Sequence, residues 1–163
     1  MIEILTEKFR KKGILIDTNL LILLLDGFYN EGKTLRSKRT QSYLIEDYKY
    51  LVAFLKNFEK HFYTPNILSE ITNLTDSINS EPNFSFFQHI KKALSVFTED
   101  SVSSEEIMQL KSFLKFGLTD AVNCKLSDKY LVLTDDLRLY SYLANQGLSA
   151  INFNHIRDLY LFR

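Results

Sequence analysis

The chain has one cysteine, Cys124, so no intramolecular disulfide can form. Its three histidines, His61, His89 and His155, are scattered and make no zinc-ligand spacing with that thiol. A reducing, cytoplasmic setting is the expectation that follows. Only two prolines and five glycines occur among 163 residues, beside 45% apolar and 25% charged residues, which excludes the composition of a disordered segment. There is no charge imbalance: acidic and basic residues number 20 each, so attraction to a polyanion has to come from a local patch. A long apolar run is missing as well. The opening MIEILTEKFRKKGILIDTNLLILLLDG is charged before its apolar stretch, is interrupted by Asp17 and Asn19, and lacks a small-residue cleavage site. It therefore reads as neither signal peptide nor membrane span. Glycine-rich phosphate loops and nucleophile-elbow patterns are absent, and no histidine adjoins a strong motif, which leaves serine and cysteine hydrolases without support.

This length suits one domain built on one core, with an inserted basic loop and helix at about residues 28–60. Gly13 to Asp17 reads as a short buried strand ending in a carboxylate. Residues 18 to 26 are apolar on nearly every side, as in a buried helix, and Gly27 marks the expected end. From Phe28 to Thr40 the periodicity vanishes while Lys33, Arg36, Lys38 and Arg39 accumulate, the pattern of an exposed basic loop. Leu44 to Phe58 has one apolar stripe at helical spacing, His61 to Tyr63 suits a strand, and Thr64-Pro65 suits a cap and first position of a helix reaching about Leu74. Residues 84 to 97 look helical, with Leu94 to Thr98 open to a strand reading. Ser103 and Glu106 form a capping-box pattern, opening a helix expected to run through Leu114 to Gly117. Leu118 to Leu126 is a further helix, YLVLT (130–134) a strand, and Asp135 and Asp136 open a helix closed by Gly147. Ala150 to Phe153 and a terminal helix complete the chain. Strands separated by helices predict an α/β domain in three layers with a mainly parallel central sheet.

In an open parallel sheet, strand ends and the starts of the following helices share one edge, where sites form. Asp17 and Asp136 follow strands, Asp120 begins a helix, and Glu70 lies about two turns into a helix that follows a strand. Taken singly, each aspartate is better read as a helix cap or a partner of the helix dipole, and Glu70 as a solvated residue. Cys124 reads as a small buried residue, and the many aromatic residues at helical spacing read as core.

The four contexts together carry a resemblance. GILIDTNLLI resembles the opening strand and helix of PIN-domain proteins, TPNILSEI the second motif with its glutamate, FGLTDAVNCKLS the third, and YLVLTDD the closing Thr-x-Asp. The matches fall in family order over residues 13–147. The resemblance implies a three-layer α/β/α PIN-like domain with Asp17, Glu70, Asp120 and Asp136 as catalytic and metal-holding carboxylates. In the same motifs Asn19 and Thr134 are implied as polar supports, Asp135 fills the variable position, and Asn123 is a minor candidate. The segment from about Phe28 to Lys60 departs from the compact form of the family.

Carboxylates brought together repel one another unless a cation neutralises them, and hard dications such as Mg²⁺ or Mn²⁺ prefer oxygen ligands. The resemblance implies an endoribonuclease, and the expected mechanism is in-line attack on phosphorus by cation-activated water, with no covalent enzyme intermediate. The basic loop of Lys33, Arg36, Lys38 and Arg39 is the candidate guide for the RNA backbone, against a plain reading as a solvated loop. Small stand-alone PIN-like proteins resemble VapC-type toxins of toxin–antitoxin pairs, which adds an antitoxin protein and a homodimer to the expected partners. The competing expectation is a catalytically inactive PIN-like module for RNA binding or protein interaction. A haloacid-dehalogenase-like phosphatase would want a second Asp at position 19, where this chain has Asn19.

Overall fold

The computed structural model describes residues 1–35, 37–74 and 83–161. Its centre is a parallel sheet of β1 (Ile14–Ile16), β2 (His61–Tyr63), β3 (Thr98–Glu99), β4 (Leu131–Thr134) and β5 (Ala150–Asn152) in the order β3-β2-β1-β4-β5. β1 and β4 are buried along their whole length, which is why both read as unbroken apolar runs and not as alternating ones. Helices pack around this sheet in an α/β/α arrangement.

Ahead of the sheet lies α1 (Ile2–Phe9); α2 (Thr18–Tyr29) leaves β1. All but a few of the α2 side chains are buried, because it packs on α3 (Ile45–Leu55), α4 (Pro65–Leu74) and α5 (Asn83–Leu94). The remaining helices are α6 (Ser104–Met108), α7 (Lys111–Phe116), α8 (Leu118–Leu126), α9 (Leu137–Asn145) and α10 (Phe153–Leu161). α8 packs on α4, α6 and α7, and α9 packs on β4 and β5. The buried apolar residues of the described chain join into one core. Among the described residues no helix is long and apolar enough to cross a membrane.

Several local expectations match. Thr64 Oγ1 accepts from Ile67 N at 3.2 Å with Pro65 at the first helical position, and Ser103 Oγ accepts from Glu106 N at 3.2 Å. Others are corrected. Gly27 does not end α2, which continues to Tyr29; it is glycine because a Cβ there would lie 2.2 Å from the Tyr48 ring. The helix expected from Ser103 to Gly117 is two, α6 and α7, separated at Gln109-Leu110. Gly117, at φ +83°, makes the turn into α8. α5 ends at Leu94, and the edge strand is the two-residue β3, which starts at Thr98, the last residue of the stretch expected to hold it.

The loop after α2 also differs from a freely solvated one. Ser37 and Thr40 are buried, and a 3₁₀ turn, Lys38–Thr40, is anchored on Asp26 of α2. Asp26 Oδ2 accepts from Ser37 N at 2.9 Å and from Thr40 Oγ1 at 2.6 Å. A carboxylate that is 2% exposed in an apolar helix thus offsets its desolvation by organising the loop that follows.

Candidate active site

β1 and β4 are neighbours, but the chain leaves β1 toward β2 on one side and β4 toward β5 on the other. Their carboxyl ends therefore flank the point where strand order reverses, the usual place for a crevice in an open α/β sheet. Asp17 follows β1 there, and Asp135 and Asp136 follow β4. α4 and α8, which pack on each other, bring Glu70 and Asp120 to the same place. The result is a cleft of about 430 Å³ lined by Asp17, Thr18, Asn19, Arg39, Glu70, Asp120 and Asp136 together with the 116–119 turn.

Asp17 is the most confined of the carboxylates, at 6% exposure. Its Oδ1 accepts from Thr18 N at 2.8 Å and from Asn123 Nδ2 at 3.2 Å, and its Oδ2 accepts from the Thr134 hydroxyl at 2.6 Å. These donors favour the charged form, yet burial outweighs them and pushes the carboxyl up to about 6, with Asp135 and Glu70 adding repulsion. Thr134 also accepts from Asp136 N at 3.0 Å, so a single hydroxyl ties the ends of β1 and β4 together. Asp136 caps α9, its Oδ1 accepting from Arg138 N at 2.6 Å and Leu139 N at 3.1 Å.

Glu70 is held by two hydroxyls. Oε2 accepts from Thr18 at 2.7 Å, and Oε1 accepts a short bond from Thr119. Thr18 therefore joins Asp17, through its N–H, to Glu70, through its hydroxyl. Asp120, in the first turn of α8, receives no hydrogen bond among the described residues. Burial pushes its carboxyl up to about 7, and the charges of Asp17, Asp136 and Glu70 raise it further against a weaker pull from Arg138. Asn123 lies three residues on along the same helix face; its Oδ1 is fully buried with no hydrogen-bond partner among the described residues.

All four carboxylates expected at the site thus line one cleft and act on one another electrically. Among the described residues, no three acidic, histidine or cysteine side chains stand close enough to form a compact ligand group. Thr134 supports Asp17 as expected. Asn19 lines the cleft but, among the described residues, makes no side-chain hydrogen bond to the four; it is exposed and donates to Asp135 Oδ1 at 3.3 Å. Of the basic loop, Arg39 lines the cleft, Lys33 pairs with Glu31 at 2.6 Å in solvent, Lys38 is exposed outside the cleft lining, and Arg36 lies outside the described residues. Cys124 is buried, with its thiol pushed up to about 12 by burial.

Thr18, Thr119 and the Tyr43–Asp135 pair escaped the reading by residue type. Each threonine directly adjoins one of the acidic residues in sequence, the only local signal available for them. The Tyr43 hydroxyl donates to Asp135 Oδ2 in a short bond across 92 positions. Burial, with that carboxylate beside it, raises the Tyr43 hydroxyl well above its usual range and keeps it a donor. No protein-family model matches the chain, and no curated protein matches it.

Proposed function

We propose that this cleft is the active site of a PIN-like endoribonuclease that requires Mg²⁺ or Mn²⁺ and hydrolyses RNA phosphodiesters with water as nucleophile. The observation that carries the reading is the convergence of Asp17, Glu70, Asp120 and Asp136, from separate elements, on one cleft at the strand-order reversal. The donor chemistry fits a hard dication: the acidic groups offer only oxygen, and among the described residues Asp120 accepts no hydrogen bond and buried Asn123 Oδ1 has no partner. Asp17, Glu70, Asp120 and Asp136 are the residues to hold it. When bound, such an ion polarises water and offsets charge developing on the phosphate.

The chain's own contribution is orientation. Thr18 and Thr134 fix both oxygens of Asp17, Thr18 and Thr119 fix both oxygens of Glu70, and the α9 N-terminus holds one oxygen of Asp136. Carboxylates oriented in this way keep their places around the cleft, and a cation would draw them closer together than they stand, since no three described ligand side chains already form a compact group. The biological setting proposed is the toxin of a toxin–antitoxin pair, with an antitoxin protein as partner and a homodimer as the working form. Expression alone should then arrest growth, and co-expression of a neighbouring small protein should relieve it.

A second reading draws on the capping roles of Asp17 and Asp136: an inactive PIN-like module whose acidic residues serve only the fold. Cleavage of a single-stranded RNA with and without chelator separates the two. The nuclease reading expects cleavage that needs Mn²⁺ or Mg²⁺ and falls at least about a hundredfold in Asp120→Asn. RNA binding without cleavage, indifferent to chelator and to that substitution, establishes the module instead.

A further inference from the structure

Arg39 is the only cation among the described residues lining the acidic cleft, and it makes no ion pair with the carboxylates around it. A guanidinium held near carboxylates without pairing to them is available to an anion that enters. Its position is built from both sides. From α2, Asp26 grips the turn through Ser37 N and the Thr40 hydroxyl, and Ser37 Oγ accepts from Arg39 N at 3.1 Å. From the β4–α9 junction, Asp135 takes the Tyr43 hydroxyl, and Tyr43 N donates to Thr40 O at 2.9 Å, closing the turn on its far end. Among the described residues the half-buried Asp135 carboxylate accepts at Oδ1 from solvent-exposed Asn19 and at Oδ2 from Tyr43, so one of its oxygens is committed to the residue that closes this turn.

We propose that Arg39 binds a phosphate of the RNA strand next to the one cleaved, and that Asp135 and Tyr43 are positioning residues that hold Arg39 over the cleft. The proposal rests on the phosphodiester reading of the site and names how the strand is engaged there. Asp135 belongs to the YLVLTDD segment yet does not line the cleft, and this role accounts for a carboxylate placed beside the others without joining them. The loop after α2 contributes one defined contact in place of a diffuse basic patch.

The test uses the full chain and a fluorescein-labelled single-stranded oligoribonucleotide, with binding measured by anisotropy in EDTA and cleavage measured separately with Mn²⁺. Arg39→Ala should weaken binding about tenfold and reduce the slope of log affinity against log salt by about 0.7, one phosphate contact on a single strand. Tyr43→Phe and Asp135→Ala should each weaken binding several-fold in the parent and have no further effect in the Arg39→Ala background. Asp135→Asn, which keeps an acceptor for the Tyr43 hydroxyl, should restore most of the loss. Unchanged binding in Arg39→Ala overturns the proposal, as do Tyr43→Phe losses of equal size in both backgrounds, which mark a general structural role. Wild-type chain that binds and shows this coupling but never cleaves with Mn²⁺ refutes the nuclease and leaves the Arg39 contact standing. Wild-type chain that does not bind the oligoribonucleotide overturns the proposal outright.

Discussion

Replacing Asp17 by asparagine is expected to stabilise the cation-free protein at neutral pH while abolishing its proposed activity. The Asp17 carboxyl titrates at about 6 in the folded chain and at 3.8 as its ordinary value. Between those values the unfolded state binds fewer protons than the folded one, so stability falls as pH rises, and above about 6 the full penalty is present. At 1.36 kcal/mol per pH unit the penalty is about 3 kcal/mol. Asparagine removes it. The amide can still accept from Thr18 N and Asn123 Nδ2 at Oδ1, but its NH₂ displaces the charge-assisted bond from Thr134, a loss of about 2 kcal/mol. A net gain of about 1 kcal/mol follows, or roughly 2–4 °C in Tm for a chain of this size. The assay is urea denaturation in EDTA across pH 4 to 8. Wild type should lose stability between pH 4 and 6 through Asp17 and Asp120 together, whereas Asp17→Asn should keep only the Asp120 part of that loss. With Mn²⁺ at about a hundred times Kd, wild type should gain about 2.7 kcal/mol and overtake the variant. A variant less stable than wild type at pH 7 in EDTA, with an unchanged pH profile, would refute the reasoning.

Mn²⁺ affinity should rise as pH increases through about 6 to 7 and then level off, because Asp17 and Asp120 must lose protons to bind. Calorimetry at pH 6 in buffers of different ionisation enthalpy should show proton release, and its absence would contradict the shifted carboxyls. Thr134→Val should cost about 1–3 kcal/mol in urea denaturation, since it leaves both Asp17 Oδ2 and Asp136 N without their bond, whereas Thr134→Ser should cost much less. Gly27→Ala should cost about 1–3 kcal/mol by driving a methyl into the Tyr48 ring, and Tyr48→Ala in the same chain should relieve that clash.

The parts legible in the sequence were those written in contiguous residues. β1 and β4 announce themselves as apolar runs ending in acid, and Thr64-Pro65 carries its cap and first turn in two adjacent letters. The parallel sheet followed from strands alternating with helices, and with it the edge where Asp17 and Asp136 lie. What escaped depends on partners distant in the chain. Gly27 looks like a helix stop until the Tyr48 ring is known to press on it. The loop from Phe28 to Thr40 looks solvated because its anchor, Asp26, sits inside an apolar helix where composition hides it. β3 has only two residues, too few for a period-2 pattern, and takes its identity from pairing with β2. Thr18 and Thr119 read as ordinary helix-start residues, and their hold on Glu70 depends on how α4 meets α2 and α8.

The convergence of the carboxylates is tested most directly by Mn²⁺ titration calorimetry on the wild-type chain and on Asp17→Asn, Glu70→Gln, Asp120→Asn and Asp136→Asn at pH 7.5. One shared cation site predicts saturable binding by wild type that weakens at least about tenfold in every one of the four variants while each stays folded. Wild-type chain that takes up no Mn²⁺, or variants that all bind it as wild type does, would contradict it.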